Sequence, residues 1–132
     1  MSSALEAVQQ ALVTQLNAHV PLMDLISGLF DGPPPRAEFP YIALATGASL
    51  DWSHKGGVGR ELSLALTIYD DGETAARLHR VMALVEEALE PGLEDASGWQ
   101  IITFDFRRTR ILRRATGPWC GLMEYRARVL KH

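Results

Sequence analysis

The nine residues Glu61–Tyr69, "ELSLALTIY", constrain the fold more than any other stretch of this chain. Leu62, Leu64, Leu66 and Ile68 alternate with Ser63, Ala65, Thr67 and Tyr69. A period of two places the first set on one face of an extended strand and the second set on the other. A strand with a wholly aliphatic face must cover it, so the chain has to build a sheet and lay other elements against it.

Two segments have the pattern of such a cover. Ser3-Ala4-Leu5-Glu6 fits a capping box, and Leu5, Val8, Leu12 and Leu16 recur at helical spacing. This predicts a helix over about residues 4–19, stopped or bent by Pro21, with a short helical piece in "PLMDLISG". The second helix is predicted from Asp71 as cap, with Glu73 in the first turn and Leu78, Val81, Met82, Val85 and Leu89 as the buried stripe. Pro91-Gly92 ends it. Further strands are predicted from Tyr41 to about Thr46, with room to run on to Trp52, and in "WQIITFDFRRTRIL" and "WCGLMEYRARVL". Ile102, Phe104 and Phe106 are assigned to one face of the former. Gly121, Met123, Tyr125, Ala127 and Val129 alternate with polar or larger residues in the latter. Phe30–Pro40, "FDGPPPRAEFP", is predicted to be irregular and extended, because successive prolines lack N–H donors. The expected fold is α+β: an antiparallel sheet of about four strands in two hairpins, two main helices packed on one face, in the order α-β-β-α-β-β.

At 132 residues, with 47% apolar and 22% charged side chains, the chain is expected to form a single domain with one hydrophobic core. Its one cysteine, Cys120, cannot form an intrachain disulfide, which fits a reducing cytoplasm. Neither a signal peptide nor a run of about 18 apolar residues occurs, so no membrane role is expected.

Catalytic and cofactor sites can be weighed by spacing. "DWSHKGGVGRE" (Asp51–Glu61) has a lysine and three glycines, but Lys55 precedes the glycines and β-type alternation follows them. A phosphate-binding loop needs the reverse order and a helix, so the stretch reads as a flexible hairpin tip with glycines free to take positive φ. His19, His54, His79 and His132 show no ligand spacing, and Cys120 has no partner motif, so no metal is expected. Cys120 also lacks a neighbouring base, no G-x-S-x-G occurs, and Asp70, Asp71 and Glu73 are explained by a helix start. Neither catalytic nor cofactor-binding residues are nominated, and no enzymatic activity is expected.

Charge is the stronger signal. Residues 1–98 hold 5 Lys/Arg and 14 Asp/Glu, net −9, whereas residues 99–132 hold 8 Lys/Arg and 2 Asp/Glu, net +6. Arg107, Arg108, Arg110, Arg113 and Arg114 crowd the third predicted strand and its turn, and Arg126, Arg128 and Lys131 lie on the returning strand. Antiparallel pairing would gather these into a basic surface. One use is a subunit interface facing acidic parts of another copy. The alternative is a nucleic-acid-binding module on the basic C-terminal hairpin. No aromatic is interleaved among these arginines in sequence, which weakens a role in stacking on single strands. With the exposed hairpin residues Trp52, His54, Lys55 and Arg60, the arginines Arg107, Arg108, Arg110, Arg113, Arg114, Arg126 and Arg128 are the candidate interaction residues.

Several pieces, in order along nearly the whole chain, resemble the tail-completion proteins of long-tailed phages and gene transfer agents, also called tail terminators or head-to-tail joining proteins. These are Asp31-Gly32 with Pro34 or Pro35, Phe39-Pro40-Tyr41, Asp51-Trp52-Ser53, Gly59 with Glu61, and Tyr125-Arg126-Ala127-Arg128. One departure is "RRATGPWCG" between the last two strands, where family members often carry an Asp-Gly turn. The resemblance implies a structural virion protein that forms a ring, usually of six copies, on the head-proximal end of the tail tube. It implies self-association, contacts with the major tail tube protein and the head connector or stopper, and non-specific passage of DNA through the lumen. The implied location is the head–tail junction of a particle assembled in the bacterial cytoplasm.

Overall fold

The structure, a computed structural model, describes residues 3–32, 34–45, 47–94, 96–113 and 115–132. Helix α1 (Ala4–Asn17) starts at Ser3, whose hydroxyl accepts the Glu6 N–H at 3.1 Å. Helix α2 (Val20–Leu25) takes Pro21 into its first turn, where a missing N–H costs no hydrogen bond. Strand β1 (Leu29–Asp31) follows, and a proline-rich link leads to β2 (Tyr41–Leu44). Then come β3 (Ala48–Asp51), β4 (Gly59–Asp70), α3 (Ala76–Leu89), β5 (Trp99–Arg113) and β6 (Trp119–Lys131).

The expected four-stranded antiparallel sheet is corrected. The described strands form one mixed sheet of six, in the order β1-β2-β4-β6-β5, with β3 also paired to β4. Three helices accompany it. Two physical causes account for the difference. The link through Gly32–Pro40 turns the chain back so that β1 lies parallel to β2, a pairing that three residues of sequence do not announce. The stretch expected as one strand from Tyr41 towards Trp52 is interrupted after Leu44, and its two pieces pair antiparallel with opposite ends of the 12-residue β4. Thr46 lies in that interruption, outside the described residues.

Strand β4 sets the two faces of the sheet. Leu62, Leu66 and Ile68 are wholly buried and Leu64 nearly so. Their partners on β6 are Ala127, Tyr125, Met123 and Gly121. This face joins the buried residues of all three helices in one core cluster, including Val8, Leu12, Leu16, Leu22, Leu78, Val81 and Val85. Fully burying side chains of this size stabilises by about 1.5–3 kcal/mol each. The opposite face carries Glu61, Ser63, Ala65, Thr67 and Tyr69 against Arg128, Arg126, Glu124, Leu122 and Cys120. No helix of the described residues is long and apolar enough to cross a membrane.

Strand β5 departs from simple alternation. Its register against β6 shifts between Ile101 and Thr103 and again between Phe106 and Arg108. Each β-bulge adds an unpaired residue and reverses which side chains face the core. Ile101 therefore packs against the core while Ile102 is 42% exposed, so the expected Ile102–Phe104–Phe106 face begins one residue earlier.

Helix α3 begins later than the sequence suggested. Its N-cap is Ala75, without a side-chain cap, and Asp71 is not the cap. Asp70 and Asp71 instead meet Arg77 in the first turn: Arg77 Nε donates to Asp70 Oδ1 at 2.7 Å, and Nη2 lies 3.1 Å from Asp71 Oδ1. The Asp70 side chain is fully buried, so this charge pairing fixes the end of β4 to the start of α3.

Gly121 marks where α3 presses on the sheet. A Cβ built there would lie 2.8 Å from Met82 Sδ and 3.3 Å from Leu78 Cδ1. Gly121→Val is expected to destabilise the fold by about 1–3 kcal/mol through overpacking, with Gly121→Ala milder because the Met82 thioether can swing aside. Urea unfolding monitored by tryptophan fluorescence checks the order of the two variants.

Candidate functional interface

The open face of the sheet holds most of the candidate residues, and their counter-charges lie among them. Arg128 Nε donates to Glu61 Oε1 at 2.9 Å across the β4–β6 pairing. Arg108 donates to Glu124, its cross-strand partner, through Nε. Arg126 Nη2 lies 3.7 Å from Asp105 Oδ2, while its Nε is buried without a hydrogen-bond partner. Arg60 Nη1 donates to its neighbour Gly59 O at 2.8 Å and lies 3.4 Å from Asp51 Oδ1. Cross-strand pairs of opposite charge on an exposed sheet add little stability, but they fix where each guanidinium points.

The expected basic surface is thus divided. Arg107, Arg108 and Arg126 share one shallow groove with Glu61 and Glu124 on the open face. Arg107 and Arg110 are exposed. Arg113 lies at the other end of β5, its guanidinium 4.5 Å from the Trp119 ring centroid. Arg114 lies outside the described residues. At the opposite end of the sheet, Arg128 also stands 5.5 Å from the Trp52 ring, which meets His54 edge-on at 6.5 Å. Two tryptophans from outside the arginine runs are therefore set against arginines in space.

His54 and Lys55 sit at the exposed tip between β3 and β4. His54 and Gly57 exchange backbone hydrogen bonds of 3.0 Å, and His54 Nδ1 accepts the Gly56 N–H. The glycines of this tip do not supply positive φ, which among the described residues occurs at Gly32, Gly92 and Gly98. Gly59 serves close approach instead: a Cβ there would lie 2.5 Å from the Trp52 carbonyl oxygen.

The counter-charges Glu61, Asp105 and Glu124 are residues that sequence reasoning missed. Their signal is the antiparallel register, but the bulge at Arg107 shifts it, so Glu124 faces Arg108 and not Arg107. Elsewhere, Cys120 is half-buried, and burial pushes its thiol above the ordinary value, which disfavours the reactive thiolate. Among the described residues no three His, Cys, Asp or Glu side chains gather as a metal site would require.

The hydrogen bond from Arg108 holds the Glu124 carboxyl below the usual glutamate range; burial opposes it, and the charges of Arg108 and Arg110 add to the lowering. A depressed carboxylate contributes stability above its unfolded pKa of about 4.3 and loses it as pH falls through the folded value. Arg108→Gln is expected to raise the Glu124 midpoint towards that ordinary value, read by carboxyl-carbon NMR titration.

No curated protein matches the sequence. Among solved structures, a chain from "Virion of native gene transfer agent (GTA) particle" superposes with a TM-score of 0.86 at 26% identity, covering 98% of this chain and 99% of that one. The bacteriophage SPP1 gp17 protein shares the fold, with a TM-score of 0.63 at 22% identity over 92% of this chain and 87% of that one. The profile described as "Tail completion protein gp17" matches residues 10–130. The chain therefore belongs to the tail completion protein family.

Proposed function

We propose that this protein is a structural virion component at the tail end of a phage or gene transfer agent particle, working by assembly and not by catalysis. The observation that carries this reading is the near-complete, two-way overlap with a chain of a native gene transfer agent particle, together with family membership over residues 10–130. In its fuller form, the chain is one domain that joins copies of itself into a ring, six being the expected number. The ring ends the tail tube, docks on the head connector, and lets DNA pass through its lumen.

The physical support lies in how the molecule spends its charge. An enzyme concentrates perturbed ionisable groups in a cleft. Here a groove of the open face mixes arginines with carboxylates, and Arg108, Arg126 and Arg128 each face a carboxylate on a neighbouring strand. Such a surface suits recognition, in which positioned charges select a partner and orient it. It suits a phosphate backbone less, because Arg108, Arg126 and Arg128 would have to leave carboxylate partners to reach one.

Negative-stain images of purified protein with tail tubes should show rings on one tube end, and Arg107→Glu with Arg110→Glu should remove them while leaving the circular dichroism unchanged. Rings that survive this charge reversal would remove these two arginines from the interface. Duplex titration at two salt concentrations should give weak binding. Tight binding with a steep salt slope would instead support a nucleic-acid-binding module.

A further inference from the structure

On the helix side of the sheet, α3 stops short of covering β5. The uncovered strip forms a groove of about 520 Å³. Its floor is aromatic: Phe104 stacks on Tyr125 with centroids 5.1 Å apart, and Phe106 meets Tyr125 edge-on at 5.6 Å. Its wall is the last turns of α3, with Glu86 and Glu90 exposed along the rim. Phe106 is 47% exposed, an unusual state for a phenylalanine beside an established core.

One group in this groove lacks what it needs. Tyr125 is only 4% exposed, yet its hydroxyl has no hydrogen-bond partner. Burial, and then the nearby negative charge of Glu86, push the Tyr125 hydroxyl well above its ordinary pKa, so it stays a proton donor. A buried tyrosine hydroxyl ordinarily finds an acceptor, and leaving one unpaired is costly. That hydroxyl is sealed beneath the floor, so the groove presents to a neighbour an aromatic surface rimmed by carboxylates.

The chain itself carries a segment that complements both features. Pro34, Pro35 and Arg36 lie in the link between β1 and β2, with Pro35 and Arg36 exposed. Proline fixes φ and so restricts this segment, which bends at Pro35 and Arg36 and leaves both exposed. Proline-rich segments dock on aromatic-lined grooves, and a flanking arginine is a good fit for paired carboxylates. The segment cannot reach the groove of its own chain. It leaves β1, and the groove lies on β5, at opposite edges of the sheet. Four strand spacings separate these edges, about 19 Å.

We infer that Pro34–Arg36 of one copy seats in the Phe104–Tyr125 groove of the next, with the prolines on the aromatic floor and Arg36 on Glu86 and Glu90. Two unlike surfaces at opposite edges give a heterologous contact, the kind that closes into a ring. The contact rests on the self-assembly reading above and specifies its chemistry. It also leaves the open-face arginines available for other neighbours.

Site-directed cross-linking tests it. In a Cys120→Ser background, Arg36→Cys and Glu90→Cys are combined in one chain, and the protein is oxidised mildly under conditions where sedimentation shows the parent chain assembled, alone or on tail tubes. The expected result is a ladder of disulfide-linked multimers from the double variant, with no ladder from either cysteine variant alone. Assembly without a ladder overturns this contact and leaves the self-assembly reading standing. A parent chain that never assembles, even on tail tubes, overturns both. In a second arm, Arg36→Glu is expected to weaken assembly by about tenfold or more, and Glu86→Arg with Glu90→Arg to restore it. Failure of the restoration in chains with unchanged circular dichroism also counts against the contact.

Discussion

The burial of one face of β4 is the constraint on which the rest of the molecule depends. Leu62, Leu64, Leu66 and Ile68 cannot be left in water, and their β6 neighbours Ala127, Tyr125, Met123 and Gly121 extend the same apolar surface. Covering it brings α1, α2 and α3 onto one side. The period of two then leaves the opposite side of the same strands uncovered by helices, and there the chain places its arginines and their carboxylate partners. Core and interface are thus two faces of one register, and a single-residue slip would exchange them.

That register was partly legible in the sequence. The strict alternation of Glu61–Tyr69 and of Trp119–Leu130 marks β4 and β6 because both strands lie at the centre of the sheet, where burial on one face is complete. Strand β5 resisted the same reading because two bulges break its period, and an edge strand tolerates such breaks. The three residues of β1 were missed because a strand this short has no periodicity to detect, and with it the mixed character of the sheet. The start of α3 was misplaced because Asp71 looks like a cap, whereas it pairs with Arg77 alongside Asp70.

The candidate interface was legible as composition but not as geometry. Counting residues finds the excess of arginine beyond residue 98. It does not reveal that Arg108, Arg126 and Arg128 are each matched by a carboxylate on a neighbouring strand, since those contacts depend on pairing across the sheet. Nor does it reveal that Trp52 and Trp119 lie under arginines from other strands. Glu86 and Glu90 carry no motif in the sequence, and only the fold shows that aromatic residues from β5 and β6 lie beside them.

On the proposed function, the two-layer scaffold engages its neighbours through its surfaces without refolding. Hydrogen–deuterium exchange, compared between the free protein and the protein bound to tail tubes, tests this most directly. New protection should be confined to the β1–β2 link, the β3–β4 tip, β5 and the end of α3, with β4 and β6 equally slow in both states. Large changes in β4 or β6, or no change anywhere, would contradict it.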